Sequence, residues 1–180
     1  QAAREALTAP GAPFIKSLYV TSSGLLKLSD FDLNEVDIVE VTDAVMAEMT
    51  STVTPQGILA LCVLPRREVS ELSTFSSKKS LRIIYLHEIQ DPGNAGTILR
   101  TADAMGVDAV VTSPGSVDMY SPKVVRATAG SLWHIPLFES VAFSDLQSLL
   151  PGATPLLLSS HAKKSILELP LEDSYISIFG

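Results

Sequence analysis

The segment Asp91-Pro92-Gly93-Asn94-Ala95-Gly96-Thr97-Ile98-Leu99-Arg100-Thr101-Ala102 decides the fold of this chain. It follows an apolar run typical of a β-strand, residues 81–86, and begins a helical pattern that ends at Gly106. Where a strand turns into a helix through glycine and asparagine, backbone N–H groups are exposed at the helix N-terminus and can bind an anion. The segment therefore predicts a strand–turn–helix joint of an α/β sheet.

The helical part of this segment carries one cation, Arg100. Helical spacing places Ile98, Ala102 and Met105 in one apolar stripe, so Arg100 is expected to project away from the core. Asn94 is expected to cap the helix, because asparagine is favoured at the N-cap position.

After residue 81, segments typical of strands and helices alternate. Strands are predicted at 82–86, 109–112, 135–138, 154–158 and 175–179, and helices at 95–105, 122–129 and 144–150. Alternation of this kind predicts a parallel sheet with helices on both faces.

The first part of the chain predicts a smaller α/β module. Thr42 and Asp43 can cap a helix over residues 44–49, and the apolar run 58–63 predicts a buried strand. Residues 71–80 belong to a polar, serine-rich stretch that is typical of a linker. We therefore expect a module over 1–70, a linker over 71–80 and a second domain over 81–180.

Charge and hydropathy exclude some classes of protein. The net charge of −7 argues against nonspecific binding of nucleic acid, which usually requires a basic surface. The longest apolar run, residues 58–64, is far shorter than the roughly 20 residues of a membrane-spanning helix. Cys62 lies within that run and is expected to be a small buried apolar residue. We expect no membrane association.

Metal and dinucleotide sites find no support in the residue spacing. The three histidines, His87, His134 and His161, are far apart and lack the spacing of metal ligands. Gly93 and Gly96 follow a strand, but their spacing is not that of a dinucleotide-binding turn, and a third glycine is missing. We therefore expect no metal. An α/β enzyme that binds a nucleotide in another way is one alternative function for this chain.

The pattern Asn-x-Gly-x-Ile-x-Arg-Thr-Ala at 94–102 resembles the first signature motif of SpoU-type RNA 2′-O-ribose methyltransferases of the SPOUT superfamily. The resemblance continues through 107–111, 113–118 and 122–131. It implies an α/β, parallel-sheet catalytic domain of the SPOUT, trefoil-knot type, preceded by a small α/β domain that binds the RNA substrate.

The resemblance also implies an activity, the methylation by S-adenosylmethionine of a ribose 2′-hydroxyl in ribosomal or transfer RNA. Arg100 matches the motif's arginine, which is assigned to activation of the hydroxyl. Since a guanidinium has a pKa above about 12, we expect it to grip a phosphate and stabilise a developing alkoxide rather than to act as a base. By the same resemblance Asn94 contributes to catalysis and RNA binding. Lys123 and Arg126 flank the RNA or are simply solvated.

The cofactor site implied by the resemblance is a group of loops at the carboxyl edge of the sheet. Ser159 and Ser160 follow one strand and could line the pocket or be ordinary strand-exit residues. Ile178, Phe179 and Gly180 match the opening of the second signature motif. The acidic residue expected after this glycine and the third motif lie beyond the sequence. We therefore expect a chain incomplete at both ends, and weak or no binding of S-adenosylmethionine by these residues alone.

Other expectations follow from the same resemblance. The longer protein is expected to be a homodimer, in a cytoplasmic or an organellar setting that the sequence does not distinguish. The alternative function is a non-catalytic RNA-binding or assembly protein that keeps the same fold.

Overall fold

The computed structural model describes residues 2–9, 11–34, 36–169 and 174–180. By its contacts the chain divides into two compact units, Gln1–Pro65 and Arg66–Gly180. Each unit has its own β-sheet.

The first unit contains a three-stranded sheet with the order β2-β1-β3. Strand β1 pairs with β2 in parallel and with β3 in antiparallel orientation. The elements in chain order are α1 (Ala2–Thr8), β1 (Phe14–Val20), α2 (Ser22–Leu26), β2 (Ile38–Glu40), α3 (Asp43–Met49) and β3 (Ile58–Val63). The predicted cap is confirmed, because Thr42 accepts a hydrogen bond from the Val45 N–H at 3.3 Å.

Strand β3 has the predicted bounds but not the predicted burial. Leu61 and Val63 are 48% and 54% exposed, and Cys62 is only half-buried. The strand lies at the edge of the three-stranded sheet, so neighbours surround it less completely than an apolar run suggests.

The second unit contains a five-stranded sheet in which every pairing is parallel, with the order β6-β5-β4-β8-β7. This confirms the predicted parallel α/β fold. The strands are β4 (Leu81–Leu86), β5 (Ala109–Thr112), β6 (Leu137–Phe138), β7 (Thr154–Leu157) and β8 (Ser174–Phe179). The helices are α4 (Pro92–Ala104), α5 (Pro122–Ala127) and α6 (Phe143–Leu149), with 3₁₀ helices at Val69–Ser77, Ser131–Trp133 and Ile166–Glu168.

The order of these strands creates a switch point beside β4. From β4 the chain adds β5 and β6 on one side, and then crosses to build β7 and β8 on the other. Strand β8 returns to pair with β4 along its full length, from Leu81 opposite Ser174 to Leu86 opposite Phe179. The carboxyl ends of β4 and β8 therefore meet where the direction of winding reverses.

The core of the second unit explains why β4 reads as a continuous apolar run. Ile83, Tyr85, Val111, Phe138 and Ile176 belong to one buried cluster. The buried Tyr85 hydroxyl donates a hydrogen bond to the Val141 carbonyl oxygen at 3.0 Å. Strands of a parallel sheet covered on both faces lose the alternation of apolar and polar residues.

The polar stretch before β4 folds onto this core. The 3₁₀ helix Val69–Ser77 buries Leu72 completely in the cluster of the second unit, and the ring of Phe75 packs edge-on against Phe138. The contact-based division falls after Pro65. The assignment of separate functions to residues 1–70 and 81–180, with a linker over 71–80, stays a prediction.

Helix α4 begins earlier and packs differently than predicted. It starts at Pro92, and its buried residues are Ala95, Gly96, Leu99 and Ala102. Met105, expected in the apolar stripe, is 68% exposed because it lies after the last helical residue. Leu99 takes the central place of the buried face, and Ile98 lies at its margin.

Gly96 allows α4 and α5 to approach closely. A Cβ atom added at Gly96 would lie 2.3 Å from the Cβ of Ala127 and 2.8 Å from its carbonyl carbon. Backbone atoms cannot move aside as a flexible side chain can. The contact between Gly96 and Ala127 therefore sets the distance between the two helices.

We expect Gly96→Ala to destabilise the protein by about 1–3 kcal/mol, the usual cost of overpacking, although alanine is the better helix former by about 1 kcal/mol. Gly152→Ala is the matched control, because no atom lies within 4 Å of its added Cβ. Urea unfolding of both variants measures the difference. Equal stability of the two variants would contradict the close approach.

Candidate functional site

The carboxyl edge of the sheet at the switch point is the candidate site. The His87 N–H donates to the Phe179 carbonyl oxygen at 2.7 Å, so the chain ends of β4 and β8 stay paired past the last residue of β4. A Cβ atom at Gly180 would lie only 2.6 Å from the His87 carbonyl oxygen. Ligands of open α/β sheets bind outside the carboxyl ends of strands at such a point.

Two loops at this edge are bound to each other. The Glu88 N–H donates to the Ser113 hydroxyl, and the Val117 N–H donates to the Ile89 carbonyl oxygen, both at 2.8 Å. The Gln90 side-chain amide donates to the Gly115 carbonyl oxygen. Because these loops lead into α4 and α5, the two helices begin at the same edge and their first turns are fixed relative to each other.

The N-cap of α4 is Asp91, so the prediction that Asn94 caps the helix is wrong. The Asp91 carboxylate accepts a hydrogen bond from the Asn94 N–H at 2.7 Å, and Pro92 is the first helical residue. Proline favours this position because its φ is already helical and its missing N–H would have no partner there. The proline therefore moves the helix start upstream of the asparagine.

Arg100 lies on the exposed surface of α4, as predicted. It follows Gly96 by one turn, on the flank of the helix that turns toward α5. Its guanidinium has no hydrogen bond or ion pair with any residue that the structure describes. A rigid helix thus presents an unneutralised cation with five N–H donors.

Asn94 does not share a face with Arg100. Six residues of helix separate them by about 120° around the axis and about 9 Å along it. Asn94 is exposed on the side away from the core. Asn94 and Arg100 therefore lie on the same helix but face different surroundings.

Lys123 and Arg126 are both exposed on α5. Lys123 precedes Ala127 by one turn, just as Arg100 follows Gly96 by one turn. Since Gly96 touches Ala127, Lys123 and Arg100 lie on either side of the same helix contact. In the described part of the chain the Lys123 ammonium has no polar partner.

A hydrogen-bonded pair at the other end of α4 was not predicted from the sequence. The Asp103 carboxylate contacts His134 Nδ1 at 2.8 Å, joining α4 to the segment after α5. Asp103 lies one turn beyond Arg100. Because these residues are 31 positions apart, no local pattern in the sequence links them.

The residues predicted to hold a cofactor come together at the same edge. The Leu158 N–H donates to the Ile178 carbonyl oxygen at 3.1 Å, which brings Ser159 and Ser160 beside the end of β8. Both serines are exposed and line an open cavity of about 800 Å³. Ile178 packs against the core and Gly180 is exposed, and residues 178–180 do not line this cavity.

The cavity has a mixed lining. Apolar side chains of Leu156, Ile166 and Leu169 form part of its wall, and Lys163 and Lys164 add positive charge. Its volume lies within the range of about 300–1,000 Å³ typical of small-molecule sites.

An aromatic pair beside α5 also escaped the sequence analysis. The rings of Tyr120 and Trp133 stack at a centroid distance of 6.3 Å and an angle of 25°. Burial, together with the nearby Glu139 carboxylate, raises the pKa of Tyr120 to about 12, so its hydroxyl stays neutral.

Two kinds of site are not found within the described ranges. No group of three histidine, cysteine, aspartate or glutamate side chains there is placed to hold a metal ion. In the same residues, no helix combines the length and the apolar character needed to cross a bilayer.

Asp91→Ala should destabilise the protein by about 1 kcal/mol, since an N-cap carboxylate would be lost. Asn94→Ala should change stability by less than about 0.5 kcal/mol, because Asn94 only supplies its backbone N–H to the cap. Thermal unfolding of both variants compares them. A larger loss from Asn94→Ala than from Asp91→Ala would show that the cap is assigned to the wrong residue.

Comparison with known proteins agrees with this arrangement. The model of the SpoU rRNA Methylase family matches residues 81–180. The chain is 33% identical over 133 residues to the 23S rRNA (guanosine(2553)-2′-O)-methyltransferase RlmP of Bacillus subtilis (strain 168), covering 74% of this chain and 49% of that protein. It is 30% identical over 154 residues to the mitochondrial rRNA methyltransferase 3 of Mus musculus, covering 84% and 36%.

A solved structure shares the fold. The SpoU methyltransferase AviRb from Streptomyces viridochromogenes, in complex with the cofactor AdoMet, superposes with a TM-score of 0.80 at 16% identity. The match covers 98% of this chain and 69% of that one. The chain spans half or less of the length of the two curated relatives.

Proposed function

Since the chain belongs to the SpoU rRNA methylase family, we propose that the protein transfers a methyl group from S-adenosylmethionine to a ribose 2′-hydroxyl of ribosomal or transfer RNA. The observation that carries this proposal is the free guanidinium of Arg100. It stands on a rigid helix that starts at the switch point of a parallel sheet, in the position of the family's first motif.

The residues at the carboxyl edge fit the cofactor. An open cavity with serine hydroxyls, apolar walls and two lysines suits a ligand that combines a nucleoside with a charged tail. Ser159 and Ser160 would hold the cofactor in this cavity, and Gly180 would contact it from the end of β8. Ile178 and Phe179 would act through their position, since their carbonyl oxygens accept bonds from Leu158 and His87. Bound S-adenosylmethionine supplies an electrophilic methyl group.

Arg100 would bind and orient the RNA. Its guanidinium remains charged at any physiological pH, and its planar fork matches two oxygens of a phosphate. Gripping the phosphate next to the target ribose holds the sugar in one orientation and places positive charge where an alkoxide develops. The hydroxyl proton then leaves through the phosphate or water, since Arg100 itself accepts none.

The surroundings of Arg100 support this role. The contact of Gly96 with Ala127 fixes α4 one turn before the arginine, and the pair of Asp103 with His134 fixes it one turn after. A site held within about 0.5 Å requires support of this kind. Lys123 and Arg126 would bind further phosphates along α5, and Asn94 would contact RNA from the other side of α4.

The rest of the proposal concerns the whole protein. We assign the RNA substrate-binding role to residues 1–70 and methyl transfer to residues 81–180. A homodimer and a cytoplasmic or organellar setting also belong to the proposal. Support for them comes from resemblance to the family, which includes bacterial and mitochondrial members.

We expect Arg100→Ala to lower the rate of methyl transfer to unmodified ribosomal RNA about 10²- to 10³-fold, the usual effect of removing one preorganised donor. Arg100→Lys keeps the charge but loses the fork, so its rate should remain well below that of the wild type. Transfer of tritiated methyl groups measures both rates.

Arg82→Lys is the matched control, since Arg82 is exposed at the amino end of β4, away from the site. It should transfer at the wild-type rate. Full activity of Arg100→Lys would contradict the bidentate grip. Binding of ribosomal RNA without methyl transfer by the full-length protein would favour a non-catalytic RNA-binding protein.

A further inference from the structure

Tyr120 and Trp133 form a stacked aromatic pair that the proposed chemistry does not use. Tyr120 precedes α5 and Trp133 follows it, and their rings stack at 6.3 Å and 25°. Trp133 is only 5% exposed, whereas Tyr120 is partly exposed. The buried indole therefore backs a tyrosine ring that reaches the surface.

The tyrosine is held firmly in this position. Its N–H donates to the Asp118 carboxylate at 2.8 Å, and the neighbouring Met119 N–H donates to Glu139 at 3.1 Å. These two bonds hold the backbone at Tyr120 and at the residue before it in place before any ligand binds. A fixed aromatic ring gives up little conformational entropy when another ring stacks on it.

The charges around the ring favour an uncharged partner there and a phosphate beside it. The Glu139 and Asp118 carboxylates and the Arg67 guanidinium all act on Tyr120. Two negative charges against one positive charge leave the surroundings of the ring negative, so they repel phosphate. Three residues further on, the Lys123 ammonium is exposed and has no polar partner in the described part of the chain. A nucleotide could stack its uncharged base on the Tyr120 ring and place its phosphate against the Lys123 ammonium.

We propose that Tyr120 is a stacking platform for an unpaired nucleobase, with Lys123 holding the adjacent phosphate. Single-stranded RNA is commonly bound through bases that stack on aromatic side chains. The ligand is thus a nucleotide that is flipped or looped out beside the methylated ribose. This inference rests on the proposed function for RNA as the ligand.

Two short oligomers test the platform on the whole chain. One is an oligoadenylate of about 12 nucleotides, within the length that such single-strand sites cover, and the other is its abasic ribose-phosphate counterpart. Fluorescence anisotropy at low salt gives both dissociation constants. We expect wild type to prefer the oligoadenylate, and Tyr120→Leu to lose about tenfold in affinity for it but little for the abasic oligomer.

Two further variants separate the ring from other effects. Tyr120→Phe keeps the ring and should keep the preference for bases. Lys123→Ala removes a phosphate contact and should weaken both oligomers alike, with a shallower dependence on salt. Emission from Trp133, the single tryptophan of the chain, reports whether each variant is folded.

Several outcomes would overturn the platform. The first is that wild type binds the two oligomers equally well or binds neither. The second is that Tyr120→Leu loses the same affinity for both oligomers. The third is that Tyr120→Phe loses as much affinity for oligoadenylate as Tyr120→Leu does. The methyl-transfer assay keeps the two proposals apart. Base-selective binding without methyl transfer would contradict the proposed methyltransferase activity but support the platform. Methyl transfer without base-selective binding would support the activity and contradict the platform.

Discussion

Parallel pairing of β4 with both β5 and β8 is the constraint on which the site depends. It brings the carboxyl ends of β4 and β8, Leu86 and Phe179, together although more than ninety residues of chain separate them. All parallel strands end at one edge, so the loops into α4 and α5 and the exits of β7 and β8 meet there. Without the return of β8 to β4, Gly180 would have no contact with His87, and the predicted cofactor residues would lie apart.

Rigidity of α4 follows from this arrangement. The helix is capped by Asp91 at its start, packed on Ala127 through Gly96, and joined to His134 through Asp103 near its end. Arg100 is the long side chain left free between these fixed points. A single cation on a fixed helix can stabilise charge on a reacting group even though the net charge of the chain is −7. The reason is that its electrostatic effect depends on its position.

The sequence analysis succeeded where the signal is local. The strands β4, β5 and β8 were predicted within one residue, because each is rich in apolar and β-branched or aromatic residues over a short stretch. The predictions were wrong where two local signals compete, and where the position of a strand in its sheet decides how far it is buried. Pro92 overrode Asn94 at the start of α4, and edge position left Leu61 and Val63 exposed despite their apolar character.

Contacts between distant residues could not be predicted from either pattern or composition. The pairs of Asp103 with His134 and Tyr120 with Trp133 each join positions on either side of α5. Similarly, the ends of β7 and β8 lie beside each other only because the two strands are neighbours in the sheet. The assignments of Arg100, Lys123 and the cofactor residues to their functions stay predictions.

The central claim is that the cofactor binds at the carboxyl edge of the sheet, where β7 and β8 end. Titration of the ¹⁵N-labelled protein with S-adenosylmethionine, followed by amide chemical shifts, tests it most directly, because shifts detect weak binding as well as tight. The account predicts changes concentrated at residues 159–160 and 178–180. Changes confined to the amino edge of the sheet or to the first unit would contradict it.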